Sequence, residues 1–305
     1  GWKGAPSGNA VFVTKNNKTV LRNNSFGYRD VEHEEGTEKE IIVFLGDSFT
    51  WGHEVQFDEM FVNILRDKLS QYEIFNLSHR GHGTDQQLLT LKRWHYGGPV
   101  KLVILMFSEN DFGDNNSIFR YGKPKPKYEF YNNKLVLTNI PVPKAKEWEK
   151  GDSADSKKPS LSDRVKWLIL QSHFVHDISF RIINSKFFKT GRIMRKNTQE
   201  GDGGVFITKQ ILKELRDDAI ERNGKLLVIA IPSKEQILQK GHGGHAPYQL
   251  KLEEICKSLD IDYMDLAPDF KKAFFRTYYR LGMHWNNYGN RVAANAIYNC
   301  IKKEF

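Results

Sequence analysis

The sequence predicts an α/β protein with a mostly parallel, five-stranded sheet covered by helices on both faces. Near-continuous Ile, Val and Leu runs of strand length indicate strands that are buried on both faces, as a parallel sheet requires. Stretches of helical period alternate with these runs, and this alternation predicts βαβ units. The predicted strands are residues 41–46, 73–77, 101–107, 225–231 and 261–264.

The helical stretches supply the two outer layers. In the first of them, Met60, Phe61, Ile64, Leu65 and Leu69 share one apolar face. Right-handed crossovers through such helices give an open sheet, and ligands of such sheets bind at the carboxyl ends of the strands. The predicted helices are residues 57–71, 84–96, 207–223, 247–259 and 286–303.

One interval interrupts this alternation. No strand of the sheet is predicted between Phe107 and Lys225. The interval contains a Pro-bounded hairpin around Asn132-Asn133, a flexible loop and an amphipathic helix over 165–182, capped by Ser162. A connection this long is best interpreted as an insertion or lid, at about residues 113–204, within a single domain of residues 1–305.

Composition is that of a soluble globular protein. Hydrophobic residues make up 39% and charged residues 27% of the 305 residues. No run approaches the roughly 18 apolar residues of a membrane span. The sequence opens Gly-Trp-Lys without Met, so we expect a mature or trimmed chain whose targeting segment is absent from this sequence.

The net charge of +9 is concentrated in one segment, because Arg120–Glu200 holds 18 Lys and Arg against 8 Asp and Glu. Within it, residues 181–196 carry six cations and no acids, with apolar residues between them. A solvated basic face and attraction to an anionic glycan or membrane surface both fit this pattern. Nucleic acid is not expected as a partner, since zinc-finger spacing, RNA-binding aromatic signatures and basic heptads are all missing.

Cysteine and histidine spacings do not predict a metal or other cofactor. The two cysteines, Cys256 and Cys300, fit neither a metal knuckle nor a disulfide framework, so free buried thiols are expected. Acidic or cysteine ligands do not accompany the His-x-x-His pairs at metal spacing. These pairs are His79/His82, His173/His176 and His242/His245.

Four residues at predicted strand or helix ends could support serine chemistry, which needs a nucleophile, a base and donors to an oxyanion. Ser48 follows the first strand in Gly-Asp-Ser, Gly81 follows the second and Asn110 follows the third. His284 directly precedes the last helix. Asp47 is expected to be structural and to bond amides of the turn beneath Ser48.

These blocks, in this order, resemble the SGNH (GDSL-type) hydrolase superfamily over most of the chain, and look closest to extracytoplasmic bacterial members associated with surface polysaccharides. The resemblance implies a flavodoxin-like three-layer sandwich. It implies that Ser48 is the nucleophile and His284 the general base. It also implies that the oxyanion hole consists of the Ser48 and Gly81 backbone N–H groups and the Asn110 amide.

The sequence departs from this family at one position. The family usually has an Asp two or three residues before the histidine, where this chain has Gly282 and Leu281. A backbone carbonyl or a non-standard acid must then orient His284, or activity is low. The acids considered for this role are Asp265, Asp269, Asp111 and Asp85.

Three functions fit the resemblance. The first is a serine esterase that removes an O-acyl group, such as O-acetyl, from a carbohydrate through an acyl-enzyme. The second is an O-acyltransferase of the same fold that acts on a surface glycan. The third is a catalytically degenerate glycan-binding module. The expected partner in each case is an acylated small molecule or a glycan, in an extracytoplasmic location.

Overall fold

The computed structural model describes residues 2–34, 36–143, 201–238 and 246–305, with the backbone alone at 201, 202, 274 and 275. The chain divides into two units, Gly1–Pro143 with Gly204–Phe305, and Lys144–Gly203. The second unit lies almost wholly outside the described residues. The helix predicted over 165–182, the cationic stretch at 181–196 and the last two His-x-x-His pairs lie outside them too.

The described elements alternate as predicted along most of the chain. The strands are β1 (Asn9–Val13), β2 (Lys18–Arg22), β3 (Ile41–Leu45), β4 (Glu73–Asn76), β5 (Val100–Phe107), β6 (Phe119–Arg120), β7 (Lys123–Pro124), β8 (Lys127–Tyr131), β9 (Lys134–Thr138), β10 (Lys225–Ala230) and β11 (Asp262–Asp265). The α-helices are α1 (Phe61–Lys68), α2 (Thr84–Arg93), α3 (Asp111–Asp114), α4 (Gly201–Glu221), α5 (Lys234–Leu238), α6 (Pro247–Ser258), α7 (Ala267–Ala273) and α8 (Asn287–Glu304).

The central sheet has the order β4-β3-β5-β10-β11, and every neighbouring pair is parallel. This is the flavodoxin-like order, so the predicted fold class is confirmed. In the register, Phe44 of β3 lies between Asn76 of β4 and Ile104 of β5. Because β3 is central, all five of its side chains are fully buried.

Alternation along β3 divides the apolar interior into two layers. Val43 and Leu45 belong to a cluster with residues of α2, α4 and α6. Ile42 and Phe44 belong to a second cluster with residues of α1, α7 and α8. Successive strand side chains point to opposite faces, so a strand that is apolar at every position requires helices on both sides. Full burial of each such side chain stabilises the fold by about 1.5–3 kcal/mol.

Element boundaries differ from the prediction where local backbone conformation intervenes. The first helix begins at Phe61 rather than at 57, because Met60 is extended, with φ −66° and ψ 136°. The hairpin predicted around Asn132-Asn133 is confirmed as β8–β9. Both turn residues have positive φ, 48° and 60°, as two-residue hairpin turns require. The β1–β2 hairpin was not predicted.

The two cysteines form no disulfide. Cys256 and Cys300 are free, as predicted, although only Cys256 is fully buried. None of the helices in the described ranges combines the length and the apolar character needed to cross a bilayer.

Candidate active site

The turn after β3 holds Ser48 at the carboxyl edge of the sheet. Gly46 begins the turn, and a side chain at that position would collide with Thr50. Asp47 supports the turn from below: its two carboxylate oxygens accept hydrogen bonds from the Phe49 backbone and the Ser108 hydroxyl, each at 2.9 Å. The structural role predicted for Asp47 is thereby confirmed, and burial raises the pKa of its carboxyl.

Ser48 and His284 meet although 236 positions separate them in the sequence. Ser48 Oγ lies 2.9 Å from His284 Nε2, within the expected separation of about 4 Å. This is hydrogen-bonding distance, so a neutral imidazole can accept the hydroxyl proton.

The start of α8 fixes the position of His284. Asn286 caps this helix, and its side chain accepts a hydrogen bond from the Gly289 backbone at 2.9 Å. Trp285, which lies between His284 and Asn286 in the sequence, is buried in the core, where its ring lies 5.0 Å from that of Phe49. The helix cap and the buried indole together anchor the backbone on the carboxyl side of His284.

A lysine fixes the loop on the other side of His284. The Lys234 ammonium donates to three backbone carbonyls, those of Tyr279, Arg280 and Gly282, at 2.7, 2.9 and 3.0 Å. Three convergent carbonyls suit an ammonium with three donors. The loop is therefore held by α5 through a single charged group.

Burial keeps His284 neutral. It lowers the pKa of the imidazole to about 4, because desolvation disfavours the charged ring. The nearby Glu54 carboxylate raises this pKa and the Arg80 guanidinium lowers it, but neither outweighs burial. At pH 7 the ring is unprotonated, which is the state a general base needs.

The four acids considered from the sequence as partners of His284 are engaged elsewhere, and that expectation is corrected here. The carboxylate that the structure does place beside His284 is Glu54, which sequence reasoning missed. The partners of the four are the Lys125 ammonium for Asp85, the Ser108 backbone N–H for Asp111, the Gln249 amide for Asp265 and the Lys272 ammonium for Asp269.

Glu54 and its neighbour His53 lie against the catalytic pair. Each of the His53, Glu54 and His284 side chains has one potential metal-ligand atom, and these three atoms lie within 4.8 Å of one another. The His53 and His284 ring centroids are 4.1 Å apart. The only sequence signal for this arrangement was a His-Glu pair five and six residues after Ser48.

These three side chains are the one set of three metal-type ligands in the described ranges, and two of their atoms are bonded within the protein. His284 Nε2 bonds Ser48, and Glu54 Oε1 accepts from the Asn16 amide at 3.0 Å. We therefore assign no metal to them.

In the His79/His82 pair, one nitrogen of each ring is bonded within the protein. The two rings stack with centroids 4.7 Å apart. His79 Nδ1 lies 3.2 Å from the Arg80 carbonyl, and His82 Nε2 lies 3.0 Å from the Trp2 carbonyl. A ring nitrogen facing a carbonyl carries its hydrogen there and cannot bind a metal at that atom.

Two backbone N–H groups are free to serve an oxyanion. In the described part of the chain, neither Ser48 N–H nor Gly81 N–H donates to another residue. Gly81 has φ +72°, and a Cβ there would lie 2.5 Å from the Tyr121 ring. At this φ a side chain would be strained, so the position favours glycine.

Asn110 is placed to donate with one of its two amide hydrogens. It occupies the N-cap position directly before α3 but makes no side-chain cap bond. Its Nδ2 donates to Asp114 Oδ2 at 2.7 Å, and Arg120 holds the other Asp114 oxygen at 2.7 Å. The second amide hydrogen remains for a ligand.

The family model described as "SGNH hydrolase-like domain, acetyltransferase AlgX" matches residues 188–305. With the parallel sheet in its flavodoxin-like order, this match confirms the resemblance to SGNH hydrolases. The matched residues include His284 but not Ser48, Gly81 or Asn110. Curated proteins yield no match to this chain.

Three solved structures are similar to this chain at low identity. "TesA" is 11% identical, with a TM-score of 0.45, over 86% of this chain and 98% of its own. An "acetyl xylan esterase AlAXEase" is 13% identical, with a TM-score of 0.45, over 86% and 99% of the two chains. A psychrotrophic esterase, EstA from Pseudoalteromonas sp., is 13% identical, with a TM-score of 0.45, over 87% and 98%.

Proposed function

We propose that this SGNH hydrolase-like chain is a serine esterase that cleaves an O-acyl ester through an acyl-enzyme on Ser48. The 2.9 Å separation between Ser48 Oγ and His284 Nε2 carries this proposal, because it joins a nucleophile to a base that is neutral at pH 7. The two unpaired backbone N–H groups at Ser48 and Gly81 support it.

The reaction proceeds in two halves. His284 Nε2 takes the hydroxyl proton as Ser48 Oγ forms a bond to the ester carbonyl carbon. The oxyanion that results accepts hydrogen bonds from the Ser48 and Gly81 N–H groups and the Asn110 amide. Collapse breaks the ester C–O bond, and the imidazolium returns its proton to the departing alcohol oxygen. Water, activated by the same histidine, then releases the acid from Ser48.

A carbohydrate substrate fits the surroundings of the site. Aromatic rings contact the residues next to the proposed oxyanion hole, with Tyr121 against Gly81 and Trp51 and Phe12 near Arg80. The Arg80 guanidinium lies 4.6 Å from the Phe12 ring centroid and 5.2 Å from that of Trp51. It pairs with no acid within the described ranges, so it suits an anionic group on the substrate.

The partners and location belong to the same proposal. A chain whose positive charge is concentrated between Arg120 and Glu200 suits an anionic glycan or membrane surface. An extracytoplasmic location, periplasmic, secreted or membrane-anchored, would bring the site to such polymers.

A second candidate is an O-acyltransferase, in which a sugar hydroxyl replaces water in the second half-reaction. The description of the matched family as an acetyltransferase favours it. A non-catalytic glycan-binding module would not need the Ser48–His284 hydrogen bond together with two free N–H donors.

Hydrolysis of p-nitrophenyl acetate by the wild type and by Ser48→Ala tests the acyl-enzyme. We expect turnover by the wild type and a loss of about 10⁴–10⁶-fold in the variant. Equal rates in the two would refute a role for Ser48. Product analysis with and without an acceptor glycan then separates acetate release from acyl transfer.

A further inference from the structure

The loop that carries His284 leaves a space where related proteins have a carboxylate. A Cβ built on Gly282 would lie 3.7 Å from Glu54 Oε2. Glu54 belongs to the turn after β3. Its carboxylate therefore lies close to the space that a side chain at position 282 would fill. The Glu54 carboxylate thus lies near the place of the carboxylate that this chain lacks at position 282.

The backbone of Glu54 is held in an uncommon conformation. Its φ is +68°, in the left-handed region that residues other than glycine rarely adopt. Its carbonyl accepts hydrogen bonds from the Tyr279 hydroxyl at 2.7 Å and the Asn17 amide at 2.9 Å. Tyr279 belongs to the loop that precedes His284, so this loop and Glu54 are positioned together.

The side chain of Glu54 is buried and oriented. The residue is 5% exposed. Asn16 donates to Glu54 Oε1 at 3.0 Å, and it also donates to the Leu281 carbonyl in the histidine loop. No hydrogen bond from another described residue reaches Oε2, which leaves that oxygen for His284.

Among the described residues, Glu54 is the one charged group that favours the protonated form of His284. The titratable neighbours are Glu54, Arg80 and His53. Burial lowers the pKa of His53 to about 3, so that ring carries no charge at pH 7. Arg80 opposes a proton on His284, and Glu54 favours it.

We propose that Glu54 is the positioning carboxylate of His284: it accepts the Nδ1–H hydrogen bond, fixes the tautomer with Nε2 toward Ser48, and stabilises the imidazolium formed during acyl transfer. The proposal rests on the proposed function, since it explains how that function works without an acid at 282. One ligand atom of Glu54 lies within 4.8 Å of one of His284 without substrate, and catalytic hydrogen bonds are often long in that state and tighten in the complex.

Three variants test the catalytic part. Glu54→Gln keeps the shape and removes the charge, so kcat should fall by between about 10-fold and about 10⁴-fold, with KM nearly unchanged. Glu54→Asp should recover part of this loss. Glu59→Gln is the matched control: it removes the same charge five positions later, where the carboxylate accepts from the Gln56 backbone, and should leave kcat unchanged.

A titration of His284 tests the same idea without reference to activity. In the ring NMR signals of His284, Glu54→Gln should lower the pKa relative to wild type, and Glu59→Gln should not. A folded Glu54→Gln protein with unchanged pKa and unchanged kcat would overturn the proposal. If the wild type hydrolyses no ester, the proposed function fails, while the titration still decides whether Glu54 acts on His284.

A chelator distinguishes a carboxylate that orients the ring from one that binds a metal. We expect EDTA to leave the wild-type rate unchanged. Loss of activity in EDTA that Zn²⁺ restores would make Glu54 a ligand instead, and would overturn the positioning role.

Discussion

Two half-buried histidines, His33 and His284, lie near carboxylates, but their pKa values are shifted in opposite directions. His33 lies beside β4, between Asp30 and Glu73, at 2.9 and 2.5 Å. Burial alone would lower its pKa, but the hydrogen bonds and charges of the two acids outweigh burial and raise it. At His284 burial prevails, and the pKa falls to about 4. Direct ion pairs thus stabilise a charged ring, whereas a carboxylate beyond hydrogen-bonding distance leaves it neutral.

The two regions also differ in how completely their polar groups are paired. Both His33 nitrogens are bonded, and Asp30 also accepts from Arg66 and from the Asn76 backbone. Near His284, His53 Nδ1 has no partner among the described residues, and the Arg80 guanidinium pairs with no acid there. Unpaired polar groups cost stability, so a cluster of them marks a place where a ligand completes the bonding. The first region stabilises the fold, and the second is available for chemistry.

The largest expected effect is the difference in kcat between variants of the two histidines. His284→Ala should lower kcat for an acyl ester by up to about 10⁶-fold, because the general base is lost. His33→Gln should leave kcat within about twofold, because His33 touches no group of the site. Ester hydrolysis measured side by side checks this. A comparable loss in both variants would show that the two regions are not functionally separate.

The next effect concerns a donor of the proposed oxyanion hole. Asn110→Ala should lower kcat by about 10²–10³-fold, because the second amide hydrogen acts mainly in the transition state. It should also lower the free energy of unfolding by about 1–3 kcal/mol, because the hydrogen bond to Asp114 is lost. Kinetics and urea unfolding of the same preparation measure both quantities. An unchanged kcat would show that the only role of Asn110 is its hydrogen bond to Asp114.

The third effect concerns the contribution of His33 to the stability of the fold. His33→Gln should lower the free energy of unfolding by about 1–3 kcal/mol at pH 6, because it leaves buried carboxylates underpaired. The folded pKa of His33 is raised above the unfolded value of about 6.5. The stabilisation is therefore complete below about pH 6.5 and is lost as pH rises through the folded value.

Urea unfolding of the wild type and of His33→Gln at pH 6 and pH 9 checks this. The difference in the free energy of unfolding between the two proteins should be smaller at pH 9. His284 contributes with the opposite sign, because its folded pKa, about 4, is lowered. As pH falls from about 6.5 to 4, the unfolded chain binds a proton at this residue that the folded chain does not, and stability decreases. A difference for His33→Gln that grows with pH would contradict the charged state assigned to His33.

The smallest effect concerns the unpaired cation. Arg80→Gln should raise KM for an anionic acylated glycan by about 2–5-fold, the effect of a partly exposed charge pair. KM for uncharged p-nitrophenyl acetate should stay the same and serves as the control. Equal changes for both substrates would show that Arg80 shapes the site rather than binding an anion.

The sequence by itself determined the central strands of the sheet and the placement of two site residues. Near-continuous apolar runs of strand length indicate buried strands of a parallel sheet, so β3, β5 and β10 were predictable, and residues directly after such strands were expected at the carboxyl edge. Ser48 and Asn110 were found in this way. The β8–β9 hairpin followed from its Asn-Asn turn, because few residues tolerate positive φ at two successive positions.

Only the tertiary structure decided what surrounds His284. The sequence directed attention to aspartates, yet Glu54 lies beside the ring because its left-handed backbone and bonds from Asn16 and Tyr279 turn it there. The double ion pair of His33 was likewise invisible, since Glu73 is 40 positions away. Secondary structure depends on local periodicity, which a sequence displays. The approach of two side chains depends on loop conformations and on many weak contacts, which are set only when the whole chain is folded.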